Sequence, residues 1–274
     1  MLSEDDLVAV IAAAAGDADR GVAVGIGDDA CVLDGGLVAS TDMLVDGVHF
    51  DAARMTAADI GHRAAAASLS DMAAMGAEPV CLLAAFGLPD GFAGAAGLTA
   101  GMAEHGVPIA GGDLSRAPVL VVSVTAIGRA DRPVLRSGGR AGDLLVVTGT
   151  LGGQAAAGYS ARVTPRVAEG RALAGVATAM LDISDGIATD AGRLARASRT
   201  GAVIELARLP LAPGATLEQA AAGGEDYELL AAVPDGVAVP VAVTVVGRLT
   251  AALDVVLLDA AGTPRTLQGW DHFA

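Results

Sequence analysis

The chain has 274 residues, is 53% hydrophobic with only 3% aromatic residues, and carries a net charge of −15. That length holds one large domain or two ordinary ones, and alanine, valine and leucine must build the core. All 17 basic residues are arginines; the lack of lysine excludes a P-loop and lysine Schiff-base chemistry, and the acidic balance excludes nucleic-acid binding through a broad basic face.

In chain order, residues 4–15 read as a short alanine-rich helix, and residues 22–33 and 36–44 as strands around a Gly35-Gly36 turn. The run TAADIGHRAAAASLSDMAAM, residues 56–75, predicts a buried helix with Thr56 as N-cap and Asp59 three residues on. A buried strand follows over 79–87, then a helix over 92–105 interrupted by Gly94, Gly97 and Gly101, a short strand in VPIAGGD and a long one in APVLVVSVTAIG. Arginine, proline and glycine cluster over 130–143, which marks a boundary between an N-terminal domain, 1–130, and a C-terminal domain, 131–274. Beyond it, strands are predicted at LLVVTG, AVIEL, ELLAAV and VAVTVVGRL, and helices beginning in GGQAAAGYS, over 165–178 and after DISDG. Strands alternating with helices in both halves give an α/β or α+β class. No apolar run reaches the roughly 18 residues of a membrane span. The acidic start MLSEDDLVAV lacks the basic region of a secretory signal; the expectation is a cytoplasmic protein without a membrane segment. Cys31 and Cys81 sit in apolar runs and read as small core residues.

The chemistry lies in where the acids fall. GDD (27–29), STD (40–42), LSD (69–71), GGD (111–113), DISDG (182–186) and GGED (223–226) place carboxylates beside glycine or hydroxyl residues at the ends of apolar runs, where binding residues concentrate. Aspartate, hydroxyl and carbonyl oxygens form the hard donor set that Mg²⁺ prefers, while the four histidines are scattered singly. Asp-Gly pairs are also ordinary turn residues. Asp71 is harder to treat so, because an unpaired carboxylate in a buried helix is costly; an arginine or a metal ion would serve as partner. On an extended strand, Asp28 and Asp29 point to opposite faces. Unless the backbone turns there, one of them is then the direct ligand and the other orients a water, a neighbouring ligand or a second ion.

GIGDDACVL, STDMLVDGVHF, SLSDMAAMGAEP, GVPIAGGD, RSGGRAGDLLVVTGTLGG, AMLDISDGIATD, GGEDYELL and GWDHF run in order from residue 25 to 273. Together they resemble the thiamine-monophosphate kinase family, within the ATP-binding superfamily of aminoimidazole-ribonucleotide synthetase. The resemblance implies transfer of the ATP γ-phosphoryl group onto thiamine monophosphate with several Mg²⁺ ions. It implies metal ligands at Asp29, Ser40, Thr41, Asp42, Asp71, Asp113, Asp182 and Asp185, with Asp28 close by. Contacts to ATP are implied at Gly112, Asp113, Arg136 and Ser184, and contacts to thiamine monophosphate at His49, Glu225 and Trp270. It further implies two α/β domains, the first of which joins its mixed sheet to that of a second copy to form a barrel across a homodimer. His105 stands where the family usually has a tyrosine, so imidazole would replace a phenol ring against adenine. Trp270 replaces a residue that is often phenylalanine. The acceptor is a phosphate monoester already ionised at neutral pH, so no general base is assigned. Other superfamily enzymes, or a non-catalytic relative that binds nucleotide or thiamine phosphate, are the alternative readings.

Overall fold

Residues 3–15 and 21–270 are described by a computed structural model of the chain. Helix α1 (Glu4–Ala15) precedes the short strands β1 (Val22–Val24) and β2 (Cys31–Leu33) and the longer β3 (Leu37–Val45). Helix α2 (Ala57–Ala74), β4 (Glu78–Leu88), helix α3 (Ala95–Ala103), β5 (Ile109–Arg116) and β6 (Val121–Arg129) follow. These strands form one sheet in the order β1-β2-β3-β6-β4-β5, antiparallel except where β5 lies parallel to β4.

The second sheet is built from β7 (Leu144–Val147), β8 (Ala179–Ile183), β9 (Gly201–Glu205), β10 (Glu228–Val233), β11 (Thr244–Thr250), β12 (Val255–Leu258) and β13 (Pro264–Arg265). Its order is β13-β12-β9-β11-β7-β10-β8, with β9 and β12 parallel and the other pairs antiparallel. Four helices connect its strands: α4 (Gly153–Ala156), α5 (Val167–Leu173), α6 (Ile187–Ala197) and α7 (Leu217–Ala222). The class is mixed α/β, with two sheets and their helices, as the alternation of predicted elements required.

Helix α2 explains how the sheets meet. Thr56 caps it as predicted, its side chain accepting the Asp59 N–H. The helix packs on β3, β4 and β6 of the first sheet and on β8, β10 and α5 of the second half. Ala64–Ala67, Ala73 and Ala74 are all buried; side chains this small let both sheets close on one helix. The Ser68 hydroxyl donates to the Val124 carbonyl of β6 at 2.8 Å, and the Ser70 hydroxyl to the Asp182 carboxylate of β8 at 2.6 Å. One turn of α2 is thus bonded to both sheets.

The glycines of α3 have the same origin. A Cβ on Gly101 would lie 1.9 Å from the Ala58 carbonyl oxygen, and one on Gly61 of α2 1.9 Å from that of Leu98. The two helices touch at backbone distance, which offsets a propensity cost of about 1 kcal/mol per glycine. Gly94 caps rather than interrupts, so the helix covers Ala95–Ala103 instead of 92–105.

Other boundaries also differ. The strand expected over 22–33 is broken: residues 25–30 loop out between β1 and β2, with Gly27 at φ +121°. The helix expected over 165–178 is the seven-residue α5, and β11 starts at Thr244 rather than at 241. β12, β13 and α7 are additional; α7 carries a capping box in which Thr216 and Gln219 bond each other's backbone N–H.

Candidate active site

The break at Gly27 changes the geometry of the paired aspartates. Because the backbone turns there, Asp28 and Asp29 do not alternate across a strand; both reach residue 136. The Asp28 carboxylate accepts the backbone N–H of Arg136 at 3.1 and 3.2 Å, and Asp29 accepts the guanidinium at 2.8 Å. Asp29 is buried. Burial, then the Asp29 charge, pushes the Asp28 carboxyl up to about 6.

Three elements bring further carboxylates to this point. On β3 the side chains alternate, so Ser40 and Asp42 face α2 with Val38 and Leu44, while Thr41 lies on the other face and accepts the Thr125 hydroxyl. From α2, Asp71 accepts the Ser40 hydroxyl. From β8, Asp182 accepts the Ser70 hydroxyl. One oxygen each of Asp29, Asp71 and Asp182 lie within 4.8 Å of one another, the group among the described residues placed to hold a metal ion. Burial, followed by the charges of Asp42, Asp182 and Asp29, raises the Asp71 carboxyl well above the usual range. Asp182 is raised by burial and by Asp29, and Asp42 chiefly by burial. Burial would lower the Arg136 guanidinium, but Asp29, Asp182 and Asp28 hold it above its ordinary value. One oxygen each of Asp29 and Asp42 is buried without a hydrogen-bond partner. These carboxylates repel one another and keep unused lone pairs, and oxygen donors in that state fit a hard divalent cation.

The cluster lies in a cleft of about 2020 Å³ between the two halves. The first half contributes Asp29, Ser40, Asp42, His49 and Asp71, and the second Arg136, Asp182, Ser184, Glu225 and Trp270. His49 Nδ1 accepts the Val45 N–H at 3.0 Å across the Gly47 turn. Three loops are tied together on the far wall: Glu225 donates its N–H to the Ser184 carbonyl at 2.6 Å, and Trp270 its N–H to the Asp185 carbonyl at 3.0 Å. A Cβ on Gly224 would stand 2.6 Å from the Ser184 carbonyl, so the approach of these loops requires that glycine. Asp185 lines the cleft, but its carboxylate accepts from Arg193 of α6. Of the GWDHF stretch, residues 271–273 lie outside the described residues.

The other expected contacts lie elsewhere in this chain. Gly112 and Asp113 sit on the exposed edge strand β5, with β4 and β6 between them and β3. His105 follows α3, where its Nε2 is 2.9 Å from the His62 carbonyl and its ring stacks on His62 at 4.2 Å.

Arg63 and Ser70 were not singled out from the sequence, although each donates to a carboxylate that lines the cleft, Glu225 and Asp182 respectively. The signal for Arg63 was present: a charged residue in a buried alanine-rich helix, the criterion that marked Asp71. Ser70 had no such mark, since its role depends on Asp182, 112 residues away.

Residues 27–130 match the family model described as AIR synthase related protein, N-terminal domain. The thiamine-monophosphate kinase of Halobacterium salinarum is 41% identical over 278 residues, spanning 90% of this chain and 94% of that protein. That of Escherichia coli K12 is 35% identical over 304 residues, spanning 92% and 93%. A solved structure described as AaThiL complexed with AMPPCP and TMP is similar with a TM-score of 0.89 at 27% identity, covering 99% of this chain and 97% of that one.

Proposed function

The chain belongs to the thiamine-monophosphate kinase family, and from that premise we propose that its cleft transfers the γ-phosphoryl group of ATP onto thiamine monophosphate, giving thiamine diphosphate and ADP. The observation that carries this reading is the convergence of Asp29, Asp71 and Asp182 beside Arg136. Both reactants are polyanions, and a carboxylate-lined wall in a chain of net charge −15 would repel them without cations.

Asp29, Asp42, Asp71 and Asp182, with the Ser40 hydroxyl, would hold Mg²⁺. Thr41, Asp28, Asp113 and Asp185 complete the proposed metal-binding set, with a second copy bringing Asp113 to the cleft. Mg²⁺ held by these residues would supply the positive charge that offsets the phosphates of both reactants. Arg136 is oriented by Asp29 and contacts phosphate through the rest of its guanidinium fork. Ser184 contacts ATP from the loop that also carries Asp185. His49, anchored through Nδ1, has its neutral-ring proton on Nε2 and meets thiamine monophosphate. Trp270 offers an aromatic face to the thiazolium or pyrimidine ring, and Glu225 a carboxylate. The acceptor phosphate, with a second pKa near ~6, is ionised at neutral pH. The residues therefore act by in-line positioning and charge neutralisation rather than by removing a proton.

A homodimer completes this reading. Edge strand β5 is exposed from Ala110 to Arg116, and Leu114 on it is 67% exposed; Met43, on the sheet face away from α2, is 59% exposed. An open edge beside exposed apolar side chains favours pairing with another copy, here as a barrel across the dimer. That pairing would carry Gly112, Asp113 and His105 toward nucleotide. We assign nucleotide binding and dimerisation to residues 1–130 and completion of the site to 131–274. Among the described residues no helix is long and apolar enough to cross a membrane, and we place the reaction in the cytoplasm, with its supply of ATP.

Incubation with ATP, Mg²⁺ and thiamine monophosphate tests the proposal: thiamine diphosphate and ADP form in equal amounts. ADP formed only with another acceptor, or no product although ATP binds, contradicts it.

A further inference from the structure

Behind the substrate wall of the cleft lies a cation that the phosphoryl-transfer reading leaves without a role. Arg63, on α2, is 2% exposed and does not line the cleft. Its guanidinium donates to the Glu225 carboxylate, to the Tyr159 carbonyl and to the Gln154 side-chain oxygen, the last at 3.2 Å. Its Nε is buried without a partner. Gln154 passes the contact on, donating its amide to the Ala161 carbonyl at 3.0 Å. One guanidinium thus holds the wall of the second half from a helix packed on the first.

The backbone around it is strained. Among the described residues four that are not glycine have positive φ, and three belong to this wall: Tyr159 at 58°, Glu225 at 56° and Tyr227 at 53°. Such conformations persist where the surroundings over-determine them, and they gather at ligand sites. Two of the three, Tyr159 and Glu225, are direct partners of Arg63, and both line the cleft. The Tyr159 hydroxyl donates to the Gly223 carbonyl at 2.8 Å, which closes the two turns on each other.

We propose that Arg63 is a positioning residue for thiamine monophosphate: it fixes the Glu225 carboxylate and the Tyr159 turn in the shape the substrate meets, without touching substrate itself. The inference rests on the kinase reading above, in which Glu225 contacts thiamine monophosphate. A positioning role predicts an effect confined to one substrate, because Arg136 and the acidic cluster that face the nucleotide make no contact with Arg63.

The test is steady-state kinetics with each substrate varied in turn. Arg63→Met raises KM for thiamine monophosphate by about tenfold while KM for ATP stays within about twofold. Arg63→Lys keeps the buried charge and returns KM for thiamine monophosphate to within about threefold of wild type. In a Glu225→Gln background, Arg63→Met adds less than about twofold, since both changes then act through one contact. An unchanged KM for thiamine monophosphate, equal rises for both substrates, or additive effects in the double variant would overturn the proposal. So would failure of both Arg63 variants to fold, which would make the residue a core support only. Wild-type protein that turns over no thiamine monophosphate overturns the kinase reading and this inference together; a wild type that turns over normally, with no split between the KM values of the variants, overturns this inference alone.

Discussion

Two acidic regions of the molecule look alike in sequence and differ in the fold. In GGEDYELL each acid has its own partner: Glu225 pairs with Arg63, and Asp226 accepts backbone N–H groups of Gly152 and Gln154 at the start of α4. Glu228 is gripped by Arg166 at 2.6 and 2.7 Å and by the Thr148 hydroxyl at 2.7 Å. In the cluster of Asp29, Asp71 and Asp182 the carboxylates face one another, and Asp29 and the adjacent Asp42 keep unpaired buried oxygens. Acidic density alone therefore does not mark a cation site. A candidate cation site is marked instead by acidic density that its partners, here one guanidinium and two hydroxyls, do not neutralise, since crowded buried carboxylates are tolerated only where something else completes them.

The comparison can be broken most sharply at Asp71. Asp71→Asn removes a cluster charge but leaves an oxygen for the Ser40 hydroxyl. It is expected to lower kcat/KM by about a thousandfold, about 4 kcal/mol of transition-state stabilisation, with no fall in melting temperature. Near-normal turnover would remove Asp71 from the site. Glu228→Gln should do the opposite. It leaves Arg166 without its charge partner and Thr148 with a weaker acceptor, and is expected to cost about 2 kcal/mol or more in urea unfolding, while KM for ATP is unchanged in the folded protein.

A smaller effect concerns pH. The Asp28 carboxyl is pushed up to about 6, and Asp190 to about 7 by burial and the Asp185 charge. A carboxyl raised in the fold contributes its stability in full below its unfolded value near 4 and loses it as pH rises through the folded value. Metal-free protein is therefore expected to melt at a lower temperature at pH 7.5 than at pH 5. Groups held low, such as Asp59 beside Thr56 and Arg162, lose their contribution only at more acid pH. At one fixed Mg²⁺ concentration, about a hundredfold above the dissociation constant at pH 7.5, the ion adds about 2.7 kcal/mol there, and its shift in melting temperature should be smaller at pH 5. A shift independent of pH would separate the metal from Asp28 and the acidic cluster.

Much of this site was legible in the sequence, because its signals are local. Thr56 and Asp59 announced the start of α2, and a lone aspartate in an alanine run singled out Asp71, which stands beside Asp29 and Asp182. Glycine and hydroxyl neighbours marked the acidic strand ends. The less legible features depend on distance along the chain. The loop at Gly27 turns Asp28 and Asp29 toward Arg136, 108 and 107 residues on, whereas strand alternation within GDD pointed them apart. The glycines of α3 read as breakers because their benefit lies in another helix. Arg63 meets Glu225 across 162 residues, so neither residue's neighbours disclose the pair.

The most direct test of the account is a crystal of the protein grown with Mn²⁺ in place of Mg²⁺, with anomalous scattering used to locate the ion. The account predicts a peak bounded by Asp29, Asp71 and Asp182, lost in Asp71→Asn. Manganese bound instead at Glu225, Asp226 or Glu228, or no peak in the cleft at saturating Mn²⁺, would contradict it.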